Sequence, residues 1–345
     1  MAEKRYRVLI TEPVGGEAGA RMESALREAG CEIVLGRPFT DAATIYSEDD
    51  LKSMVREMDG LLVSSRELFT RAVMMAGPRL VTIAKLGIGV ERIDVKAATE
   101  LGILVSNTPI PENYLSVAEY AVAFMLAMAK QLKPGDQQGR AGRWRSIVGT
   151  FMRGKTVGLV GFGRIGSRVA SLLTPFEVRL LAFDPFVKPE RAAQAGVELV
   201  SLERLMAESD FVSLHAVVTA ENRNLLGARE IALMKPTAYI VNTARGALID
   251  ETALAAALKA GRIAGAALDV FEPEPPAPTS PLLSEELATR TLITPHVAGM
   301  SPELIAKMPM VQTENCIRAL RGERPEFVVN PDVMAHWRGN QRAQR

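Results

Sequence analysis

Cysteine and histidine are both scarce in this chain, and their scarcity removes whole classes of chemistry. Only Cys31 and Cys316 occur, far apart in sequence, together with His215, His296 and His336. Two such cysteines build neither a disulfide framework nor a metal cluster, so the expectation is no metal and a reducing, cytoplasmic compartment. Excess charge of either sign is also missing: 41 Lys and Arg stand against 40 Asp and Glu, a formal net charge of +1. Without a basic stripe or an acidic tail, nucleic acid and anionic membrane are disfavoured as partners. No long apolar run offers a membrane span, because the most apolar helical stretch, Val117–Ala129, is short and interrupted by Glu119. The opening Met-Ala-Glu-Lys-Arg-Tyr-Arg lacks the apolar centre of a signal peptide.

What the chain does have is length for two cores, 345 residues, and one stretch around which the rest is organised. Val157–Val160 is an apolar run, Gly161, Gly163 and Gly166 form G-x-G-x-x-G, and Ser167–Leu173 is helical in pattern. Strand, glycine turn and helix make a βαβ unit whose turn leaves room for a phosphate. Gly161 permits the tight turn, Gly163 lets the backbone approach a pyrophosphate, and Gly166 lets helix and strand pack closely, with Arg164 and Ile165 between the glycines expected to touch the cofactor. The helix N-terminus then offers N–H groups and a partial positive charge. A second strand, Arg179–Phe183, ends at Asp184, eighteen residues past Gly166. A carboxylate there accepts both hydroxyls of an adenosine ribose and repels a 2′-phosphate, so NAD is the expected cofactor.

Taken in order, Tyr6–Thr11, Cys31–Leu35, Gly60–Ser64, Leu80–Lys85 and Ile103–Ser106 read as strands. Between them Gly16–Ala29, Asp50–Met58, Phe69–Ala76 and Ile93–Leu101 read as helices. This predicts a flavodoxin-like parallel sheet of about five strands, without a glycine fingerprint and therefore suited to substrate rather than cofactor. Asn107–Pro111 breaks the alternation, and a long helix is predicted from about Ser116 to Leu132, followed by a polar, glycine-bearing stretch, Lys133–Gly142. Beyond the glycine loop, strands at Phe211–Leu214, Ala238–Val241, Ala264–Val270 and Thr291–Ile293 predict a six-stranded dinucleotide-binding sheet, with helices such as Leu202–Ala207 and Glu251–Ala260. A proline-dense loop, Glu272–Pro281, is stiffened rather than disordered. The final helical run, Pro302–Arg321, is expected to return to the first lobe, with a frayed tail from Trp337. The fold class is thus α/β, two flavodoxin- or Rossmann-like parallel-sheet domains with the larger a dinucleotide-binding Rossmann domain: residues 1–106 completed by 300–345, and residues 107–299.

Three segments carry candidate chemistry. Asn242-Thr243-Ala244-Arg245-Gly246 follows a buried strand, which puts Arg245 at a C-terminal strand end, where a guanidinium holds a carboxylate bidentately. Thr243 and Ala244 beside it are expected to touch cofactor. His296, in Thr-Pro-His-Val-Ala-Gly, also follows a strand, and imidazole is the natural proton carrier for reduction of a ketone near neutral pH. His215, in Ser-Leu-His, is expected to pack beside the cofactor. Glu272 and Glu274 follow the strand that ends near Asp269; either carboxylate is suited to stabilise His296 as imidazolium, and composition does not choose between them. Asp269 is suited equally to a cofactor contact or a structural role.

From Asn107 to Gly299 the chain resembles the D-isomer-specific 2-hydroxyacid dehydrogenases, and its first lobe fits their substrate domain. The motifs that carry the resemblance are Gly-Phe-Gly-Arg-Ile-Gly, Asn-Thr-Ala-Arg-Gly, Ala-Leu-Asp-Val-Phe-Glu-Pro-Glu-Pro and Thr-Pro-His-Val-Ala-Gly. The resemblance implies that Arg245 binds the substrate carboxylate, that His296 is the acid/base and that Glu274, before Pro275, supports it. It also implies that Gly87, Ile88 and Gly89, after Lys85, present backbone N–H groups to the carboxylate. The implied activity is interconversion of a 2-oxo acid and its D-2-hydroxy acid with NAD, in a homodimer built around the long helix and the Arg143–Arg145 region. Transcriptional corepressors resemble the same family, so an NAD(H)-sensing scaffold is the alternative. Departures bear on substrate. Glu91-Arg92 stand where relatives commonly show Asp-Asn, Lys85 where arginine is frequent, and Val217-Val218 in place of Pro-Leu. Ser64, with Arg66 close by, falls where phosphoglycerate dehydrogenases carry arginine. Glu274 argues against formate dehydrogenases, which have glutamine there, and the C-terminus is expected to leave no room for a serine-sensing domain.

Overall fold

The computed structural model describes residues 6–38 and 46–343. Most of the N-terminal segment read against a signal peptide, residues 1–5, and the last two residues of the tail lie outside the described residues. The chain divides into two compact units, one of Met1–Asn113 with Ser301–Arg345, the other of Tyr114–Met300.

In the first unit β1 (Tyr6–Ile10), β2 (Cys31–Leu35), β3 (Gly60–Val63), β4 (Thr82–Lys85) and β5 (Leu104–Ser106) pair in parallel, in the order β2-β1-β3-β4-β5. That is the flavodoxin-like order expected from the alternation. Because side chains alternate across a strand, each strand feeds two cores. Val8, Ile10 and Leu62 pack with Met22 and Leu26 of the helix Gly16–Glu28 and with Cys316 and Leu320 of the helix Pro302–Leu320. Leu9, Leu61 and Val63 face the opposite way, onto Leu51, Val55, Val73 and Met74. The returning helix therefore belongs to this unit, as expected. The tail does not fray at Trp337, which is 0% exposed and donates its indole N–H to Val81 O at 2.9 Å. Upstream of it, Asn330 accepts the N–H of Val105 at 2.8 Å and donates to Ile103 O at 3.0 Å, so side-chain hydrogen bonds cover the edge strand β5. A buried indole with its one donor satisfied outweighs the usual tendency of a terminus to loosen.

In the second unit β6 (Thr156–Val160), β7 (Arg179–Phe183), β8 (Val197–Leu199), β9 (Phe211–Leu214), β10 (Tyr239–Asn242), β11 (Gly265–Leu268) and β12 (Thr291–Ile293) form one parallel sheet, ordered β12-β11-β10-β9-β6-β7-β8. The sheet has seven strands, not six. The strand missed is β8, three residues at the edge with only Val197 buried, too short to show a period. The larger differences among the helices are three. The helix expected from Ser167 starts at Arg164, immediately after the glycine turn. The long helix runs Pro111–Ala129, with Pro111 as its first residue, where a missing N–H costs nothing. The stretch Lys133–Gly142 contains a helix, Leu132–Arg140, that has no buried residue and carries an Asp136–Arg140 ion pair one turn apart. No single helix among the described residues is long and apolar enough to cross a membrane, and the helix Pro111–Ala129 buries eight of its residues.

Candidate active site

The glycine loop sits at the C-terminal end of the interior strand β6, beside the point where the strand order reverses between β6 and β9. Gly161 has φ 94°, and a Cβ there would meet Ala216 N at 2.6 Å; a Cβ on Gly166 would meet Gly161 O at 2.2 Å. Both glycines are demanded by close approach. A Cβ on Gly163 would meet nothing within 4 Å, so the backbone at that point lies open to a ligand. Gly163 is also the N-cap of the helix Arg164–Leu173 and supplies no side-chain cap, which leaves the first-turn N–H groups without intrahelical partners. An open backbone at an uncapped helix N-terminus fits a pyrophosphate. Arg164 is exposed and Ile165 half-buried at the same turn.

Asp184 follows β7 as expected, and its carboxylate is bound into the turn itself. Oδ2 accepts the N–H of Phe162 at 2.8 Å and Oδ1 that of Phe186 at 2.9 Å. The residue expected to read the ribose therefore also fixes the loop that would hold the phosphates. Next along the same sheet edge, His215 keeps both ring nitrogens enclosed without a hydrogen-bond partner, and Thr243 Oγ1, after β10, is likewise buried and unpartnered. Burial pushes the His215 pKa down to about 3, so the ring is neutral in ordinary buffers. Unsatisfied buried polar atoms are rare, and two of these residues at one strand edge beside the glycine loop fit a bound cofactor.

Arg245 lies one turn further on, half-buried, with Nη1 donating to Ala244 O at 2.7 Å. Asn242 shapes this turn, accepting the N–H of Ala244 at 3.0 Å and donating to Arg245 O at 2.8 Å. Asn242 stands inside the quoted motif, but the sequence assigned it no role.

His296 and Glu274 meet. Nδ1 of His296 lies 2.7 Å from Glu274 Oε2, and Glu274 Oε1 accepts the N–H of Phe271 at 3.0 Å. The choice left open between the two glutamates falls to Glu274, since Glu272 instead lies 3.6 Å from Arg223. Burial pushes the Glu274 carboxyl up, but the hydrogen bond and charge of His296, the Phe271 N–H and the charge of Arg245 together hold it below its ordinary value. Glu274 is consequently an anion across the working pH range.

His296 adopts φ 55°, in the left-handed region. Histidine tolerates that region better than most residues, but something must hold it there. The holder is Asp269, 1% exposed. Its backbone oxygen accepts the N–H of His296 at 2.8 Å, and its carboxylate accepts those of Val297 and Ala298, each at 2.9 Å, and the Thr294 hydroxyl. Of the two roles expected for Asp269, the structure displays the structural one, because its carboxylate is committed to the His296 loop. Ser116 Oγ adds a further pin, donating to Ala298 O at 2.8 Å.

In the first unit, Lys85 is 4% exposed and its Nζ donates to Ser65 Oγ at 2.9 Å and to Leu86 O. Gly87, with φ 102°, gives its N–H to Thr108 Oγ1 at 2.7 Å. Ile88 and Gly89 follow, their N–H groups making no hydrogen bond among the described residues. Ser64 donates to Glu67, itself 3% exposed, at 3.0 Å, and Arg66 lies 3.8 Å from Glu12.

Comparison with known proteins places the chain in a family. Residues 122–298 match the family model described as D-isomer specific 2-hydroxyacid dehydrogenase, NAD binding domain. The chain is 37% identical over 326 residues to the D-3-phosphoglycerate dehydrogenase of Archaeoglobus fulgidus, covering 94% of this chain and 59% of that protein. It is 39% identical over 288 residues to the glyoxylate reductase of Korarchaeum cryptofilum, covering 81% and 85% respectively. The chain thus spans about three fifths of the length of the phosphoglycerate dehydrogenase it matches. Among solved structures, the D-lactate dehydrogenase of Aquifex aeolicus complexed with NAD and lactic acid superposes with a TM-score of 0.82 at 28% identity, covering 94% of this chain and 99% of that one.

Proposed function

The chain belongs to the D-isomer-specific 2-hydroxyacid dehydrogenases, an NAD-dependent family, and from that membership we propose that it interconverts a 2-oxo acid and its D-2-hydroxy acid. The observation that carries the reading is the 2.7 Å pairing of His296 Nδ1 with an ionised Glu274. NAD, when bound, supplies or accepts the hydride at C2. Gly161, Gly163, Arg164, Ile165, Gly166 and Asp184 are the residues that would hold it, with His215, Thr243 and Ala244 along the same edge. With Nδ1 engaged by Glu274, Nε2 is the ring atom that delivers a proton to the oxygen during reduction and removes it during oxidation. Glu274 fixes the ring and stabilises its imidazolium form. Arg245 holds the substrate carboxylate through its planar fork, which orients C2 for the transfer.

The favoured substrate class is a small acid with an uncharged tail. Ser64 contributes no charge where phosphate-handling members of the family carry arginine, and Arg66 already faces Glu12. The phosphoglycerate dehydrogenase relatives argue for the phosphorylated acid, and a direct comparison decides. NADH consumption is followed with glyoxylate, hydroxypyruvate, pyruvate, bulkier 2-oxo acids and phosphohydroxypyruvate. Fast reduction of one of the small acids supports the proposal, whereas a higher kcat/KM for phosphohydroxypyruvate than for hydroxypyruvate overturns the substrate class. Nucleotide binding without turnover of any acid would favour the sensing scaffold.

A second copy of the chain is the proposed partner. Trp144, Val148 and Phe151 are 93%, 90% and 76% exposed within one short segment, a concentration of apolar surface uncommon on a lone protein. This segment includes the Arg143–Arg145 region that the family resemblance assigns to the dimer. Light scattering of the parent and of Val148→Asp tests it: a dimer in the first and a monomer in the second are expected.

A further inference from the structure

We propose that Glu251 is a positioning residue for the acid/base pair, tethering the acidic loop that carries Glu274 and placing a second negative charge behind it. The inference rests on the assignment of His296 and Glu274 above and extends it to a residue that makes no contact with the histidine. Glu251 is the first residue of the helix Glu251–Lys259, half-buried, and its Oε1 accepts the backbone N–H of Glu272 at 2.8 Å. Glu272 stands two residues before Glu274. Its own side chain faces Arg223 at 3.6 Å. The loop Phe271–Glu274 is consequently fastened from outside at Glu272 and from inside by the Phe271 N–H on Glu274.

The scaffold that presents Glu251 is rigid. Asp250 caps the helix, its carboxylate accepting the N–H groups of Thr252 and Ala253 at 3.0 Å each. The stretch bearing Arg223 is stitched to the same turn by Asn224 N–H to Ala247 O at 2.8 Å and Leu226 N–H to Leu248 O at 3.0 Å. Gly246, directly after Arg245, packs so closely on the acidic loop that a Cβ would meet Phe271 C at 2.0 Å. The Arg245 turn, the Glu251 helix start and the Glu274 loop are therefore joined by close packing and hydrogen bonds. A loosened tether at Glu272 is transmitted to the carboxylate that orients His296.

The charges around Glu251 are Asp250 on its own turn, Glu272 and Glu274 on the acidic loop, Arg223 opposite Glu272, and Arg245 and His296 around Glu274. Burial is the largest influence on Glu251 and raises its pKa; the Glu272 N–H opposes this, and the charges of Glu272 and Glu274 add to the rise. The charge of Glu274 is the smallest of these influences, and it places the two carboxylates within electrostatic reach of each other. A carboxylate behind Glu274 therefore adds to the negative potential felt by the imidazolium.

Two variants separate the tether from the charge. Glu251→Gln keeps a carbonyl oxygen for the Glu272 N–H and deletes the charge; Glu251→Ala deletes both. The chain has three histidines, so the imidazole resonances are assignable with His296→Asn, and His296 can be titrated directly by NMR without substrate. In both variants the His296 midpoint is expected to lie below that of the parent, because a neighbouring negative charge is gone. With glyoxylate or hydroxypyruvate, kcat is expected to drop roughly tenfold in Glu251→Ala and to be restored largely by Gln, with NADH affinity near parental in both. An unchanged His296 midpoint in both variants overturns the proposal, and so does a fall in kcat that Gln does not relieve. A lower melting temperature with an unmoved midpoint assigns Glu251 to stability alone and overturns it too. If the parent reduces none of the acids, the functional reading falls while the NMR titration still decides this one.

Discussion

His296 Nδ1 and Glu274 Oε2 lie 2.7 Å apart across 22 residues of sequence, each on a loop that leaves the C-terminal end of a different parallel strand. Neither loop holds its residue unaided. Asp269 fixes the His296 loop through its backbone N–H groups, and the Glu274 loop is fastened by Glu251 at the Glu272 N–H as well as by its own Phe271 N–H. Two side chains held in this way have anchors besides each other, so deleting the charge of one is expected to displace the other little.

Glu274→Gln tests that charge. The folded-state pKa of Glu274 is depressed, so the anion is present above the ordinary carboxylate value and is lost only as pH falls through the depressed one. At neutral pH the substitution therefore removes a full negative charge beside an imidazole whose protonated form reduction requires. The alkaline limb of reductive kcat/KM is expected to move to lower pH, and oxidation to become possible at lower pH. NADH binding should be unchanged. Glu272→Gln, a residue directed at Arg223, is the control and should leave the limb where it is. A shift with Glu272→Gln and none with Glu274→Gln would refute the assignment.

Arg245→Lys keeps the charge and loses the planar fork. Because carboxylate binding is proposed to be bidentate, kcat/KM for the 2-oxo acid should fall by roughly 10²-fold or more with NADH affinity nearly parental. Steady-state kinetics alongside a fluorescence titration of NADH separates the two quantities. Parental kcat/KM would remove Arg245 from the carboxylate site and make Lys85 the next residue to vary.

Asp184→Ser is expected to narrow a strong preference for NAD over NADP by roughly tenfold or more, by weakening NAD and relieving repulsion of the 2′-phosphate. It carries a second cost. The N–H groups of Phe162 and Phe186 lose their acceptor; Phe186 is exposed and its N–H turns to water, but Phe162 is buried, and an unsatisfied buried donor costs about 1–3 kcal/mol. Melting temperatures measured beside the two cofactor affinities should therefore fall together with NAD binding. Equal use of NADPH and NADH by the parent would contradict the assignment.

His215 supplies a prediction about stability. Its pKa is depressed to about 3 in the folded protein, so between that value and about 6.5 the unfolded chain binds a proton that the folded chain does not. Folding stability should fall as pH drops through this window, by up to about 1.4 kcal/mol per unit from this residue. His215→Gln, which cannot titrate, should flatten the decline in melting temperature between neutral pH and pH 4 when measured without added NAD. Parallel curves for the two proteins would show that His215 does not drive the acid sensitivity.

Much of this molecule was determined by residue pattern alone. Runs such as Tyr6–Ile10 and Phe211–Leu214 are legible because a parallel strand buried on both faces must be continuously apolar, and the five-strand order of the first sheet matches the expected alternation. The glycine turn was legible because glycine is the residue that satisfies a φ of 94° at Gly161 and a 2.2 Å approach at Gly166. Where a segment is short or its burial is supplied from far away, sequence was silent or wrong. β8 has three residues and one buried side chain, and Trp337 is held by Val81, 256 positions earlier. The site divides in the same manner. The types and strand-end positions of Arg245 and His296 follow from local motif, since ligands gather at the C-terminal edge of a parallel sheet. The choice of Glu274 over Glu272, the commitment of Asp269 to the His296 loop and of Gly87 N–H to Thr108, and the tether from Glu251 were decided by tertiary structure. Which of two neighbouring carboxylates meets a given imidazole depends on how loops from separate strands converge. That convergence is set by hydrogen bonds between residues 21 to 29 positions apart, which no local period encodes.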